Sequence, residues 1–151
     1  MIVADAKTLV TQSLAQALGR MAYLEVQPCL ETPPVPARFA LAEIRFAGSV
    51  TGSVQVMASF DFACELACNM GFLDHPTEEQ CLDAIRELVN VSCGLILPLL
   101  ATPDTDAFDL SIPQAIPCDE STDWSQWIRQ DDVVVLDVGG HPVAARLHLR
   151  L

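Results

Sequence analysis

Positive charge is scarce in this chain. Its 151 residues include 8 Lys and Arg against 20 Asp and Glu, a formal net charge of −12. Nucleic-acid backbones call for a basic surface, so a nucleic-acid partner is not expected, and the same shortage disfavours anionic membrane surfaces. Nor is there an apolar run approaching the roughly eighteen residues of a membrane helix. The opening Met-Ile-Val-Ala-Asp-Ala-Lys lacks the basic stretch, long apolar core and cleavage pattern of a signal peptide. A cytoplasmic protein is therefore expected. Its six cysteines (29, 64, 68, 81, 93 and 118) are then reduced and behave as small buried hydrophobes. Gly-x-Ser-x-Gly and phosphate-loop motifs are also missing, and His75, His141 and His148 show no nucleophile-plus-base arrangement.

Apolar residues are plentiful. At 51% hydrophobic content the chain is globular, and its length suits one domain spanning 1–151. Residues 3–22 read as an amphipathic helix, with Leu9, Val10, Leu14, Ala17, Leu18 and Met21 at helical spacings opposite Thr8, Gln12, Gln16 and Arg20. Leu24 to Leu30 is compatible with a short strand, and the prolines of Glu31-Thr-Pro-Pro-Val-Pro require a loop. Phe39–Phe46 and Gly48–Met57 read as two antiparallel strands turning near Ala47-Gly48, and the strand-weakening glycines at the turn and at Gly52 leave room for a bulge.

Asp61–Met70 reads as a short helix closed by Gly71 as a C-cap. Thr77 and Gln80 make a capping box for a second long helix, whose inward stripe is Cys81, Leu82, Ile85, Leu88, Val89 and Ser92, and whose weakening or end is marked by Gly94 and Pro98. Ala101–Ala107 is expected to be a loop, Asp109–Pro117 a proline-bearing edge strand, and Asp119–Gln130 a loop or helical turn. Val133–Val138, Gly139-Gly140 and Val143–Leu151 form a β-hairpin. The expected class is α+β: an antiparallel-rich sheet with two long helices and one short helix packed on one face.

Asp83, Glu87 and Asn90 lie at i, i+4 and i+7 of that second long helix and so share a face. Two meanings are open, a plain solvated face or a surface that something docks against. Asn in a helix interior carries a cost, because its amide competes for local backbone bonds. Glu87 and Asn90 together offer a charge for anchoring a cation and an amide that both donates and accepts.

With Pro113 included, the pattern resembles the signature of the CheC/CheX/FliY family of chemotaxis phosphatases. That signature is an acid or Ser, three residues, Glu, two residues, Asn, twenty-two residues, then Pro; here residues 91–112 are the twenty-two. Gly94 also falls where the family often has glycine. The resemblance implies that the substrate is the aspartyl phosphate of a phosphorylated CheY-like receiver domain. Mg²⁺ would be held by that receiver, and this chain would bind no cofactor or metal. Glu87 would pair with the receiver's active-site Lys, and Asn90 would orient a water for in-line attack on phosphorus. Asp83 and Pro113 belong to the motif without a clear chemical step, Pro113 being suited to shaping the neighbouring strand.

Some relatives carry Glu-x-x-Asn twice, whereas the first helix here has no such pair between Lys7 and Arg20. One site is expected, as in the CheX-type arrangement, which implies a homodimer joined through sheet edges. The apolar run Leu95-Ile-Leu-Pro-Leu-Leu departs from the more polar helix end common in the family. A non-catalytic receiver-binding or dimerisation domain of the same fold is the alternative.

Two further groups have competing readings. Cys64, Cys68, His75 and Cys81 are enough soft ligands for zinc, but two Cys four apart on a helix do not make a zinc knuckle, and a packed, reduced helix face is expected. Trp124 and Trp127 suit either a partner hot spot or a cap on the core.

Overall fold

The computed structural model describes residues 4–71, 73–102 and 107–150. Its elements run α1 (Ala4–Ala22), β1 (Val26–Pro28), β2 (Phe39–Ala47), β3 (Thr51–Ser59), α2 (Phe60–Gly71), α3 (Glu78–Leu100), β4 (Asp109–Leu110), β5 (Gln114–Cys118), α4 (Ser121–Trp127), β6 (Val133–Val138) and β7 (His141–Arg150). The strands form one antiparallel sheet in the order β1-β6-β7-β3-β2, and both β4 and β5 pair with the outer side of β2. Side chains alternate across the sheet, so each strand has one helix-facing set. Ala40, Ala42, Ile44 and Phe46 of β2, Val54, Val56 and Ala58 of β3, and Val143, Ala145 and Leu147 of β7 meet Leu14 and Leu18 of α1, Phe62 and Leu66 of α2, and Ile85, Leu88 and Ile96 of α3 in one core. This is the expected α+β arrangement, with two long helices and one short helix on one face.

The other sheet face is partly covered as well. Phe39, Met57, Val133 and Ala144 point away from the main core and are capped by Trp124 and Trp127 of α4, with the Phe39 and Trp124 rings edge to face at 5.4 Å. Both tryptophans are buried, so they cap the core and offer no partner surface. The remainder of this face is polar. It includes a cavity of about 750 Å³ whose lining includes Glu43, Arg45, Gln55, Arg146 and His148.

Several local features differ from the sequence expectation. No bulge occurs at Gly52, where the pairing of β3 with β2 and β7 is continuous. A Cβ there would fall 2.3 Å from the His148 carbonyl oxygen and 2.8 Å from the Phe46 ring, so glycine admits a close approach of strand and aromatic ring. Gly52→Ala is expected to destabilise the fold by about 1–3 kcal/mol, the usual cost of overpacking, read as a lower urea midpoint with unchanged slope. Gly71 ends α2 without a left-handed backbone; among the described glycines only Gly139 (φ 60°) and Gly140 (φ 86°) have positive φ. Gly71 instead leaves room for Leu73, whose side chain sits 3.2 Å from where a Cβ would be. The two positive-φ glycines form the hairpin turn between β6 and β7, as the strand twist requires.

The expected strand over Asp109–Pro117 is interrupted. Three residues separate Leu110 from Gln114, but only two separate their partners Phe46 and Glu43, so β4 and β5 flank a one-residue bulge. Pro113, which has no N–H for a ladder, lies in that bulge. Ser111 bridges it, its N–H donating to the Arg45 carbonyl and its Oγ accepting from the Arg45 N–H, both at 2.9 Å. In the expected loop Ala101–Ala107, residues 103–106 lie outside the described residues, as do residues 3 and 151 of the terminal elements.

Candidate functional site

The helix that carries the site is fixed at both ends. Thr77 Oγ1 accepts from the Gln80 N–H at 3.2 Å, and Gln80 Oε1 accepts from the Thr77 N–H at 2.8 Å, completing the expected capping box. At the far end α3 runs through Gly94 and past Pro98 to Leu100. Proline costs a helix interior about 3 kcal/mol. Here Ile96 and Leu100 anchor the last turns in the core, and the Ala101 N–H closes on the Leu97 carbonyl at 3.0 Å. The buried face of α3, which includes Cys81, Ile85, Leu88, Ser92 and Ile96, leaves one polar stripe outward.

Asp83 and Glu87 are exposed on that stripe, and Asn90 is half-buried beside Glu87 one turn on. Asp83 is engaged: its carboxylate pairs with Arg86, which also holds Glu79 at 3.0 Å. Glu87 and Asn90 are not, since among the described residues neither side chain makes an ion pair or hydrogen bond. Beside them α2 and α3 enclose a shallow concavity of about 360 Å³, lined by Ala67, Met70, Gly71 and Leu73 on one wall and Gln80, Asp83, Ala84 and Glu87 on the other. It is smaller than the cavity on the opposite sheet face, but Glu87 lines it, and Asn90 follows one turn further along α3. The sequence reading missed Met70 and Leu73; their position at the break between two helices was the available signal. Pro113 is on the sheet edge, in the bulge between β4 and β5, and not on the stripe.

Among the described residues no exposed nucleophile adjoins Asn90. Cys93 is fully buried, and burial pushes its thiol up from 9.0 to about 11. Burial, assisted by a hydrogen bond with Cys64 at 3.0 Å between sulfurs, likewise pushes Cys81 up to about 12. At pH 8 both are expected to resist iodoacetamide while the Cys29 thiol, in a surface loop, is modified first, as followed by peptide mass spectrometry. Because the folded state resists the Cys93 thiolate and the unfolded state does not, its contribution to stability is lost as pH rises from about 9 towards 11. Among the described residues no three His, Cys, Asp or Glu side chains converge as a metal site; His75 is exposed in the turn before α3.

An antiparallel sheet backed by three helices, with a single Glu-x-x-Asn pair displayed on the longest, defines a CheC-like α+β domain. The family model described as "Chemotaxis phosphatase CheX" matches residues 40–123, which include all of α3 and β5. This chain belongs to the CheX family. Solved structures agree on the fold. CheX in a CheX–CheY–BeF3–Mg complex from Borrelia burgdorferi is 18% identical with a TM-score of 0.69, the match covering 95% of this chain and 97% of that one. CheX from Vibrio vulnificus is 20% identical with a TM-score of 0.69, covering 95% of each chain. CheX from Desulfovibrio desulfuricans is 14% identical with a TM-score of 0.69, covering 95% and 97%. Among curated proteins none matches the sequence significantly. No described helix is long and apolar enough to cross a membrane.

Proposed function

We propose that this protein accelerates hydrolysis of the aspartyl phosphate on a CheY-like response-regulator receiver. The observation that carries the reading is the pairing of an uncommitted Glu87 and Asn90 on an uncovered helix face of a CheX-family chain. Glu87 anchors the receiver's active-site Lys, and the concavity beside it receives apolar side chains of the partner. Asn90 enters the receiver's site, where its amide holds a water in line with the acyl P–O bond. Water oxygen bonds to phosphorus, that P–O bond breaks, and the aspartate leaves as carboxylate with inorganic phosphate as the other product. Mg²⁺ on the receiver neutralises the phosphoryl oxygens. The helper's share is orientation, which requires no perturbed base of its own. This chain accordingly needs no cofactor. Phosphate release from a phosphorylated receiver, measured with and without the protein, tests the reading. Binding without acceleration would instead identify a receiver-binding domain, and neither binding nor acceleration a structural domain.

We also propose a homodimer joined through sheet edges. Exposed Leu110 of β4, Ile116 of β5 and Ile112 in the bulge between them support it, since an apolar sheet edge favours pairing with another chain. Ile112→Lys with Ile116→Lys is expected to shift the mass in analytical ultracentrifugation from dimer to monomer. A double variant that sediments as the parent removes this edge from consideration.

A further inference from the structure

Gly94 lies inside α3 and is exposed. At 100° per residue, Asp83, Glu87, Asn90 and Gly94 fall within a sector about 60° wide, with Gly94 about 6 Å beyond Asn90 along the axis. Glycine is disfavoured in a helix interior more than any residue but proline. Its usual compensation is close packing, yet a Cβ built at Gly94 meets nothing within 4 Å, the Pro98 ring included. Gly52 and Gly71 differ, because neighbouring groups occupy the space a side chain would take; Gly19, close to the end of α1, is also open, and what sets Gly94 apart is its place on the Glu87–Asn90 stripe. Among the described residues none therefore uses the missing side chain at Gly94. The backbone is also bare in a second sense. Pro98, four residues on, has no N–H for the Gly94 carbonyl, which keeps this acceptor out of the helical ladder.

We infer that Gly94 is a specificity-determining contact for the receiver: a bare stretch of helix against which a backbone loop of the receiver closes so that Asn90 can reach the phosphoryl group. The inference rests on the proposed phosphatase reading. A side chain at 94 stands between the receiver loop and the helix and holds Asn90 away from phosphorus, while the protein's own fold gains from the better helix former.

The test compares the parent with Gly94→Ala, Gly94→Leu and Asn90→Ala. Each is measured for thermal unfolding, for binding to CheY carrying beryllofluoride and Mg²⁺, and for phosphate release from CheY phosphorylated with acetyl phosphate. Gly94→Ala and Gly94→Leu are expected to unfold at or above the parental temperature. Affinity should fall about threefold for Ala and at least about tenfold for Leu, the larger group overlapping the partner. Asn90→Ala, in contrast, should bind and fail to hydrolyse. Lower unfolding temperatures for both Gly94 variants would assign the glycine to the helix itself and overturn the inference. Parental binding and turnover by Gly94→Leu would overturn it with the phosphatase reading intact, whereas a parent that neither binds nor hydrolyses overturns both.

Discussion

Replacement of Asn90 by alanine is expected to reduce receiver dephosphorylation by a factor on the order of 10²–10³, the usual worth of one well-placed polar group that acts on the transition state. The loss belongs in kcat. Asn90 is half-buried on the flank of an exposed helix and holds no partner within the described chain, so its removal breaks no internal bond and leaves α3 standing. Alanine is also the better helix former, which makes parental or slightly improved thermal stability part of the expectation. KM should be nearly unchanged, because an amide that positions the attacking water contributes little to holding the ground-state complex. Full turnover by a folded Asn90→Ala protein would remove the water-positioning mechanism. Loss of binding together with turnover would make Asn90 a docking residue. The measurement is initial-rate phosphate release over a range of phosphorylated receiver concentrations.

Sheet and helices were legible wherever one periodicity dominated. Ala40, Ala42, Ile44 and Phe46 alternate with outward residues, and Val143 to Leu149 do the same, so the two faces of the central strands could be assigned from the chain alone. The capping box at Thr77 was legible because both of its bonds are local. Features that depend on distant partners were not. Pro98 reads as a helix terminator, and only the burial of Ile96 and Leu100 against the sheet explains why α3 continues. Gly52 reads as a strand weakener until the Phe46 ring and the β7 backbone are placed over it. Trp124 and Trp127 lie in an acidic stretch without a full helical stripe, and their role follows from Phe39 and Met57 presenting an uncovered apolar patch on the second face.

The candidate site was legible in a narrower sense. Spacing alone put Asp83, Glu87 and Asn90 on one face, but it treated the two carboxylates alike. The structure separates them through Arg86, which reaches Asp83 and Glu79 and leaves Glu87 without a counter-charge among the described residues. A residue without such a partner costs the isolated protein nothing in water and becomes useful only when another chain brings the cation. Pro113 shows the converse: it belongs to the motif by spacing, but its place is a bulge of the edge strand, where its missing N–H is an advantage.

That asymmetry between the carboxylates predicts a sharp contrast in substitution. Glu87→Ala is expected to weaken receiver docking by about 2–5 kcal/mol, or roughly 30-fold to a few thousandfold, because it leaves the receiver's Lys without a partner in a desolvated contact. The change should appear in KM and in the dissociation rate. Unfolding should move by no more than about 0.5 kcal/mol, since an exposed, unpaired side chain contributes little to the fold. Asp83→Ala removes only a surface ion pair, worth about 0–1 kcal/mol, and Arg86 keeps Glu79. Its KM should stay within about threefold of the parent. Glu87→Gln separates charge from shape. If the anchor is ionic, the amide binds nearly as poorly as alanine; an amide that restores docking would mean that a neutral hydrogen bond suffices. Salt makes the distinction clear, because the long-range field of the protein's net charge of −12 persists in every one of these variants and is screened by salt, whereas a desolvated Glu–Lys contact is screened far less. The difference in affinity between parent and Glu87→Ala should therefore persist as salt rises from about 0.05 M to about 0.3 M, while that between parent and Asp83→Ala vanishes. Docking carried instead by Asp83 would reverse both results and place the Lys one turn nearer the start of α3.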